Sequence, residues 1–286
     1  MSSLDVRDGS QNGADETRPG RAVGPKEDRY NVRVLDRAFT LLRLLSDGTP
    51  RSLVGIAAEA QLTPSTTFRL LAALKSYKYI SRHAGTGEYS LGISCLELSR
   101  AYLSSSISDL ALPHLVALRD ATRETIHLAA LDDMDVIYTH KEAGLHAIGL
   151  MSSRVGGRNP AYCTGVGKAL LAYEPPELVR SRLADMELRP YTSTTIHDAD
   201  ALMRELAVIA ERGYALDQGE HEAEVRCVAV PIFDAAGRAV AAVSVSGPEG
   251  RLDPLEANSD LIERTVATGR EISLALGFHP DPRPSH

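Results

Sequence analysis

TPSTTFRLLAALKSY, residues Thr63–Tyr77, opens as a helix should. Thr63 is a natural N-cap, and Pro64 suits the first helical turn because its missing amide would have no partner there. Leu70, Leu71 and Leu74 then recur at helical spacing and can face a core. Ser65, Thr66, Thr67 and Arg69 read as the exposed front. Short hydroxyls let a helix end approach a DNA groove closely, and an arginine reaches a guanine edge or a phosphate.

The surroundings turn this helix into a motif. Ser52 can cap LVGIAAEA, and Gln61-Leu62-Thr63 is a short turn into the next helix, which is helix–turn–helix spacing. Upstream, the stretch 31–45 is amphipathic, with Val34, Leu35, Ala38, Leu41, Leu42 and Leu45 expected inward, and Asp47-Gly48 stops it. Downstream, Tyr79–His83 and Glu88–Leu91 flank Ala84-Gly85-Thr86-Gly87 and read as two short strands around a glycine turn. Three helices and a small hairpin make a winged helix. The candidate DNA contacts are Arg51, Ser65, Thr66, Thr67, Arg69 and, on the wing, Arg82 and His83.

Charge agrees with a divided chain. The 286 residues carry a formal net charge of -7, which argues against a general nucleic-acid binder. Residues 29–92 nevertheless hold nine basic side chains against four acidic ones. Residues 1–28 hold four basic and six acidic ones, so the acidic excess lies after residue 92. A basic module joined to an acidic one fits a DNA reader with a separate control domain.

Length predicts two domains with ample apolar content for both cores. Residues 1–28 are polar, with no apolar run, and read as a disordered tail and not a signal peptide. No stretch approaches the length of a membrane span. Cys95, Cys163 and Cys227 are scattered and odd in number. A disulfide framework is not expected, and a cytoplasmic setting is.

After the wing, residues 93–107 read as a linker helix with Ile93, Leu96, Tyr102 and Leu103 as candidate inward positions. Pro113 is expected to open another helix to Arg123. Thr125–Leu131 and Val136–Lys141 read as a hairpin, as do Cys227–Phe233 and Ala239–Ser246. Helices are expected over Gly165–Tyr173, Pro176–Asp185 and Asp200–Arg212, with a long closing helix over Asp253–Leu276. Hairpins mixed with helices predict an α+β layer in which helices cover one antiparallel sheet.

Two features there can carry chemistry. Cys163-Thr164-Gly165-Val166-Gly167-Lys168 places glycines at a helix start, where exposed amides and the helix dipole seat a carboxylate or phosphate. It lacks the Walker spacing, and no cofactor is expected. Ser244 and Ser246 are two apart on an otherwise apolar strand, so both hydroxyls point to one face. Asp217 and Cys227 are grouped with them as polar candidates.

Together VLDRAFTLLRLL, LTPSTTFRLLAAL, EYSLG, PAYCTGVGKALLA and CVAVPIFDAAGRAVAAVSVSGPEGR resemble the IclR family of bacterial transcriptional regulators, over nearly the whole chain from residue 31 to about 278. The resemblance implies an N-terminal winged helix–turn–helix (29–92), a linker helix (93–107), a C-terminal GAF-like effector domain (108–278) and a short tail (279–286). It implies operator DNA bound by a homodimer or dimer of dimers, most simply as a repressor, under control of a small organic acid. The carboxylate would sit on the amides of Gly165 and Val166, with Asp217, Cys227, Ser244 and Ser246 as polar partners and Ile148, Met151 and Val225 as apolar walls. Asn159 stands where a member binding two- and three-carbon keto acids has an apolar residue, which implies a more polar or larger ligand. Tyr77-Lys78-Tyr79 departs from the family's frequent glycine after the recognition helix.

Two other readings are open from the residues alone. One is an enzyme with an appended DNA-binding domain, using Cys163 or Cys227 as nucleophile with His127 or His221 as base. The other is a metal sensor using those cysteines with His140, His146 or His221, although no CxxC or HxxxH pairing supports it.

Overall fold

The structure, a computed structural model, describes residues 32–104, 107–146 and 151–279. The expected N-terminal tail, Ile148 and residues 280–286 of the C-terminal tail lie outside the described residues. The chain divides into two compact units between Ser99 and Arg100.

The first unit holds α1 (Arg33–Leu44), α2 (Leu53–Glu59), α3 (Pro64–Ser76), β1 (Ile80–Arg82), β2 (Tyr89–Leu91) and the start of α4 (Ile93–Ser104). Both expected caps form. The Gly55 amide donates to the Ser52 hydroxyl at 3.1 Å and the Thr66 amide to the Thr63 hydroxyl at 3.3 Å. Leu41, Leu45, Ile56, Leu70, Leu71, Ile80 and Tyr89 form the core. β1 and β2 pair antiparallel, with Arg82 opposite Tyr89, and Arg51 adds a bridge to Tyr89. Lys78 takes φ +60°, the left-handed conformation that a glycine would adopt without strain.

Three expectations in this unit are corrected. Thr67 is fully buried, because positions 67, 70, 71 and 74 form the inward stripe of α3. Val34 and Leu35 are exposed, since they lie in the first turn of α1, ahead of the part packed from Ala38 onward. Ile93 and Leu96 are exposed within this unit.

The second unit is one six-stranded antiparallel sheet in the order β5-β4-β3-β8-β7-β6. Its strands are β3 (Thr125–Asp132), β4 (Asp135–Glu142), β5 (Arg158–Pro160), β6 (Ala215–Asp217), β7 (Val225–Phe233) and β8 (Ala239–Pro248). Strand alternation sends Ile126, Leu128, Val243 and Val245 to one face, where they pack with α5 (Ile107–Thr122) and α10 (Ser259–Ala275). The opposite face, with Ala129 and Ala242, carries α6 (Gly165–Leu171), α7 (Pro176–Ala184) and α8 (Ala199–Arg212). Helices therefore cover both faces.

Two helix expectations change here. Pro113 lies inside α5. Burial of Ala111, Leu115 and Leu118 outweighs the one backbone bond that Pro113 cannot donate. The helix expected over Asp253–Leu276 is a 3-10 turn (Leu255–Ala257) followed by α10, and a separate short helix, α9 (Glu249–Leu252), precedes both. Pro254 interrupts the ladder, and Asn258 restarts it by accepting from the Leu261 amide.

Candidate functional site

On α3, Ser65 and Arg69 face outward as expected. The Thr63 hydroxyl lies 3.2 Å from the Ser65 hydroxyl and donates to that of Thr66 at 2.9 Å, so the front of the helix is a small hydroxyl cluster. Phe68, which the sequence reading passed over, is 54% exposed beside Arg69. Its signal was its position, one residue off the inward stripe. On the wing, Arg82 donates to the Gly87 carbonyl at 3.0 Å and lies over the Tyr89 ring, while His83 is exposed. Arg51 is held by Asp47 at 2.7 and 2.8 Å and by Glu59 at 3.3 Å, so two carboxylates offset its charge. That bidentate pairing holds the Asp47 carboxyl well below the usual range.

In the second unit, nine of the expected site residues border one cavity of about 440 Å³, its open mouth included. Gly165 and Val166, at the start of α6, form one side with Asp217 from the end of β6. Val225 and Cys227 come from β7, and Ser244 and Ser246 from β8. Met151 and Asn159 complete the set. Ile148 lies outside the described residues.

The glycines have a steric reason. A Cβ on Gly165 would lie 2.7 Å from Cys227 Sγ, and one on Gly167 would lie 2.2 Å from the Ala161 carbonyl. The Thr164 hydroxyl accepts from the Gly167 amide at 3.2 Å and caps α6. The first amides of the helix, those of Gly165 and Val166, have no acceptor within it.

Strand pairing supplies what the sequence did not mark. β3 lies beside β8 with His127 opposite Ser244. His127 Nε2 sits 2.8 Å from the Ser153 hydroxyl and Nδ1 3.4 Å from that of Ser246, which is 3.4 Å from Ser244. Burial pushes His127 down to about 3, helped by the positive charge of Lys141, so the ring is neutral. It packs against Tyr138, whose hydroxyl accepts from Asn159 Nδ2 at 3.3 Å. Lys141 donates to the Ser153 carbonyl at 2.5 Å, and Ser152 donates to Glu222 at 2.6 Å at the rim. The bordering residues named are acidic or neutral; among the described residues no lysine or arginine borders the cavity.

Behind Asp217 is a buried charge cluster. The Asp217 carboxylate accepts from the Gly219 and Glu220 amides at 3.1 and 2.8 Å. Burial raises its pKa, and Lys168 opposes the rise. Lys168, 1% exposed, donates to the Leu216 carbonyl at 2.7 Å and pairs with Glu220. The second Glu220 oxygen is buried without a hydrogen-bond partner.

Cys227, His127 and His221 border the same cavity, but among the described residues the thiols bond to the Pro160 carbonyl (Cys163) and to Ser244 and Ser246 (Cys227), not to a histidine. Burial pushes the Cys227 thiol up to about 12 and raises that of Cys163. His221 packs on Tyr191. Among the described residues no three His, Cys, Asp or Glu side chains are grouped to hold a metal.

Comparison with known proteins converges on one family. Residues 34–84 match the IclR helix-turn-helix domain, and residues 100–274 match the bacterial transcriptional regulator IclR C-terminal domain. The DNA-binding transcriptional repressor YiaJ of Escherichia coli (strain K12) is 34% identical over 88% of this chain and 91% of its own length. The crystal structure of the Thermotoga maritima IclR matches with a TM-score of 0.70 and 32% identity, covering 87% of this chain and 100% of that one. An IclR homolog complexed with 4-hydroxybenzoate, from Microbacterium hydrocarbonoxydans, matches with a TM-score of 0.76 and 27% identity, covering 85% and 98%.

Proposed function

This chain belongs to the IclR family of bacterial transcriptional regulators, and from that premise we propose that a small organic acid seated in the cavity between α6 and β8 controls its hold on operator DNA. The protein is a DNA-binding transcriptional regulator. The observation that carries the effector half is the convergence of the α6 amides with Ser244, Ser246 and Asp217 on one cavity. The carboxylate sits on the Gly165 and Val166 amides, beside Asp217, whose pKa burial raises against the pull of Lys168. His127, Tyr138 and Asn159 answer a hydroxyl or carbonyl at the ligand's other end. The homolog that holds 4-hydroxybenzoate, an acid with a hydroxyl opposite its carboxylate, supports that class.

The DNA contacts are Ser65, Thr66 and Arg69 on α3 and Arg82 and His83 on the wing, with Arg51 bracing the wing from its ion pairs. The reader spans residues 29–92, the linker helix 93–107 and the effector domain 108–278. The protein acts in the cytoplasm as a homodimer or dimer of dimers that represses transcription, and it catalyses no reaction. The high thiol pKa values support the last point, since a buried neutral thiol is a poor nucleophile. The effector shifts operator affinity only by its differential affinity for two arrangements of the dimer.

A thermal-shift screen of small organic acids, aromatic ones included, identifies the effector through the rise in melting temperature. Ser246→Leu is then expected to abolish the effector response while operator affinity stays within twofold. Arg69→Ala is expected to weaken operator binding roughly 10- to 100-fold at fixed salt, with effector binding intact. A normal response in the first variant removes the cavity assignment. An unchanged operator affinity in the second removes the assignment of α3.

A further inference from the structure

The outward side chains of α3 after Pro64 are Ser65, Phe68, Arg69, Ala72, Ala73, Lys75 and Ser76, opposite the inward stripe that contains Thr67, Leu70 and Leu71. Four of those seven outward side chains are small. A helix edged this way lies close to the base edges, and whatever projects from it reaches them first. Phe68 and Arg69 project from its N-terminal half, and Lys75 from its last turn. Phe68 takes no part in the core of its unit and leaves more than half of its surface in water. A phenyl ring more than half in water forgoes most of the gain of burial, so it stabilises the isolated unit little.

Base edges in the major groove present donors, acceptors and one kind of apolar group, the thymine 5-methyl. Arg69 matches the first set as a donor to guanine or phosphate. Phe68 matches the last. We propose that Phe68 is a specificity-determining residue that packs on the 5-methyl group of a thymine, one step from the base or phosphate engaged by Arg69. This rests on the reading of α3 as the recognition helix. It adds that the bound sequence carries a fixed A·T pair in each half-site, recognised through its methyl group.

The test uses full-length protein and a duplex that the protein selects from a random DNA pool. Each thymine is replaced in turn by uracil, which removes only the 5-methyl, and Kd is measured at one salt concentration. One thymine per half-site is expected to show a roughly three- to fivefold loss, the worth of one buried methyl. In Phe68→Ala that loss is expected to vanish at that position and persist elsewhere. Phe68→Leu is expected to keep part of it. Both variants are expected to melt as the parent does, because residue 68 is outside the core. Absence of a uracil effect at every thymine, or an unchanged effect in Phe68→Ala, overturns the role of Phe68. If Arg69→Ala still weakens binding in that case, the recognition helix stands without it. If the pool yields no bound sequence, or both Arg69→Ala and Phe68→Ala bind as the parent does, the reading of α3 falls and this inference with it.

Discussion

Glu220 shows what one residue must bear in this fold. It is buried, pairs with Lys168 near the buried Asp217, and one of its oxygens has no partner. Burial is the main reason its pKa rises to about 7, and the nearby Asp217 and the more distant Glu205 add to it against the pull of Lys168. The sign follows from linkage. The unfolded carboxyl ionises near 4.5, so the folded state holds the proton more tightly, and stability present at low pH is lost as pH rises through 7. Unfolding free energies of the parent and of Glu220→Gln, from denaturant titrations, are expected to lie close near pH 4.5 and to separate in favour of glutamine by pH 8, by of order 2 kcal/mol. Parallel curves across that range would show that Glu220 does not titrate there. The residue scale also marks what could be read in advance. Ser244 and Ser246 were legible because a period of two on an apolar strand has one structural meaning. Thr67 was misread although the stripe through Leu70, Leu71 and Leu74 already included it. His127 and Tyr138 could not be assigned to the cavity, because their place depends on β3 pairing with β8 across more than a hundred residues.

Elements were legible where their ends carry chemistry. Thr63 with Pro64, Ser52, and Thr164 before two glycines all mark helix starts that formed as read, since a cap satisfies an amide that nothing else can reach. The closing helix was misread because its apolar periodicity continues past Pro254. The short edge strands β5 and β6, three residues each, are too brief to show a pattern. One strict element requirement is the packing of α6 on the turn before it. Adding a methyl at residue 167 would put it 2.2 Å from the Ala161 carbonyl oxygen and 2.4 Å from its Cα, both backbone atoms. Gly167→Ala is therefore expected to destabilise by about 3 kcal/mol or more, lowering the melting temperature of the unit by roughly 6 °C or more. Gly250→Ala, in the same unit, meets nothing within 4 Å and is expected to change it by less than about 1 °C. Equal melting temperatures for the two variants would mean that α6 can shift away from residue 161, and with it the seat at Gly165 and Val166.

At the scale of the molecule the two units differ in charge as well as fold. Residues 29–92 carry a basic surplus in a chain whose net charge is -7. That division was legible at once, since it needs only counting. What counting does not give is how a cavity in one unit changes the grip of the other. A two-fold reader binds two half-sites at a set spacing, so a change in the separation of two recognition helices penalises only DNA that engages both. A change inside one reader would penalise any contact. The two routes separate on DNA of different length. With the effector at saturation, affinity for a full two-half-site duplex is expected to change at least tenfold, and affinity for a single half-site duplex by less than twofold, at the same salt. Inserting about five base pairs between the half-sites turns them to opposite faces of the duplex and is expected to reduce the full site to half-site affinity, with the effector response lost. A tenfold response on the single half-site would place the coupling within one reader, and the spacing of the pair would then have no part in control.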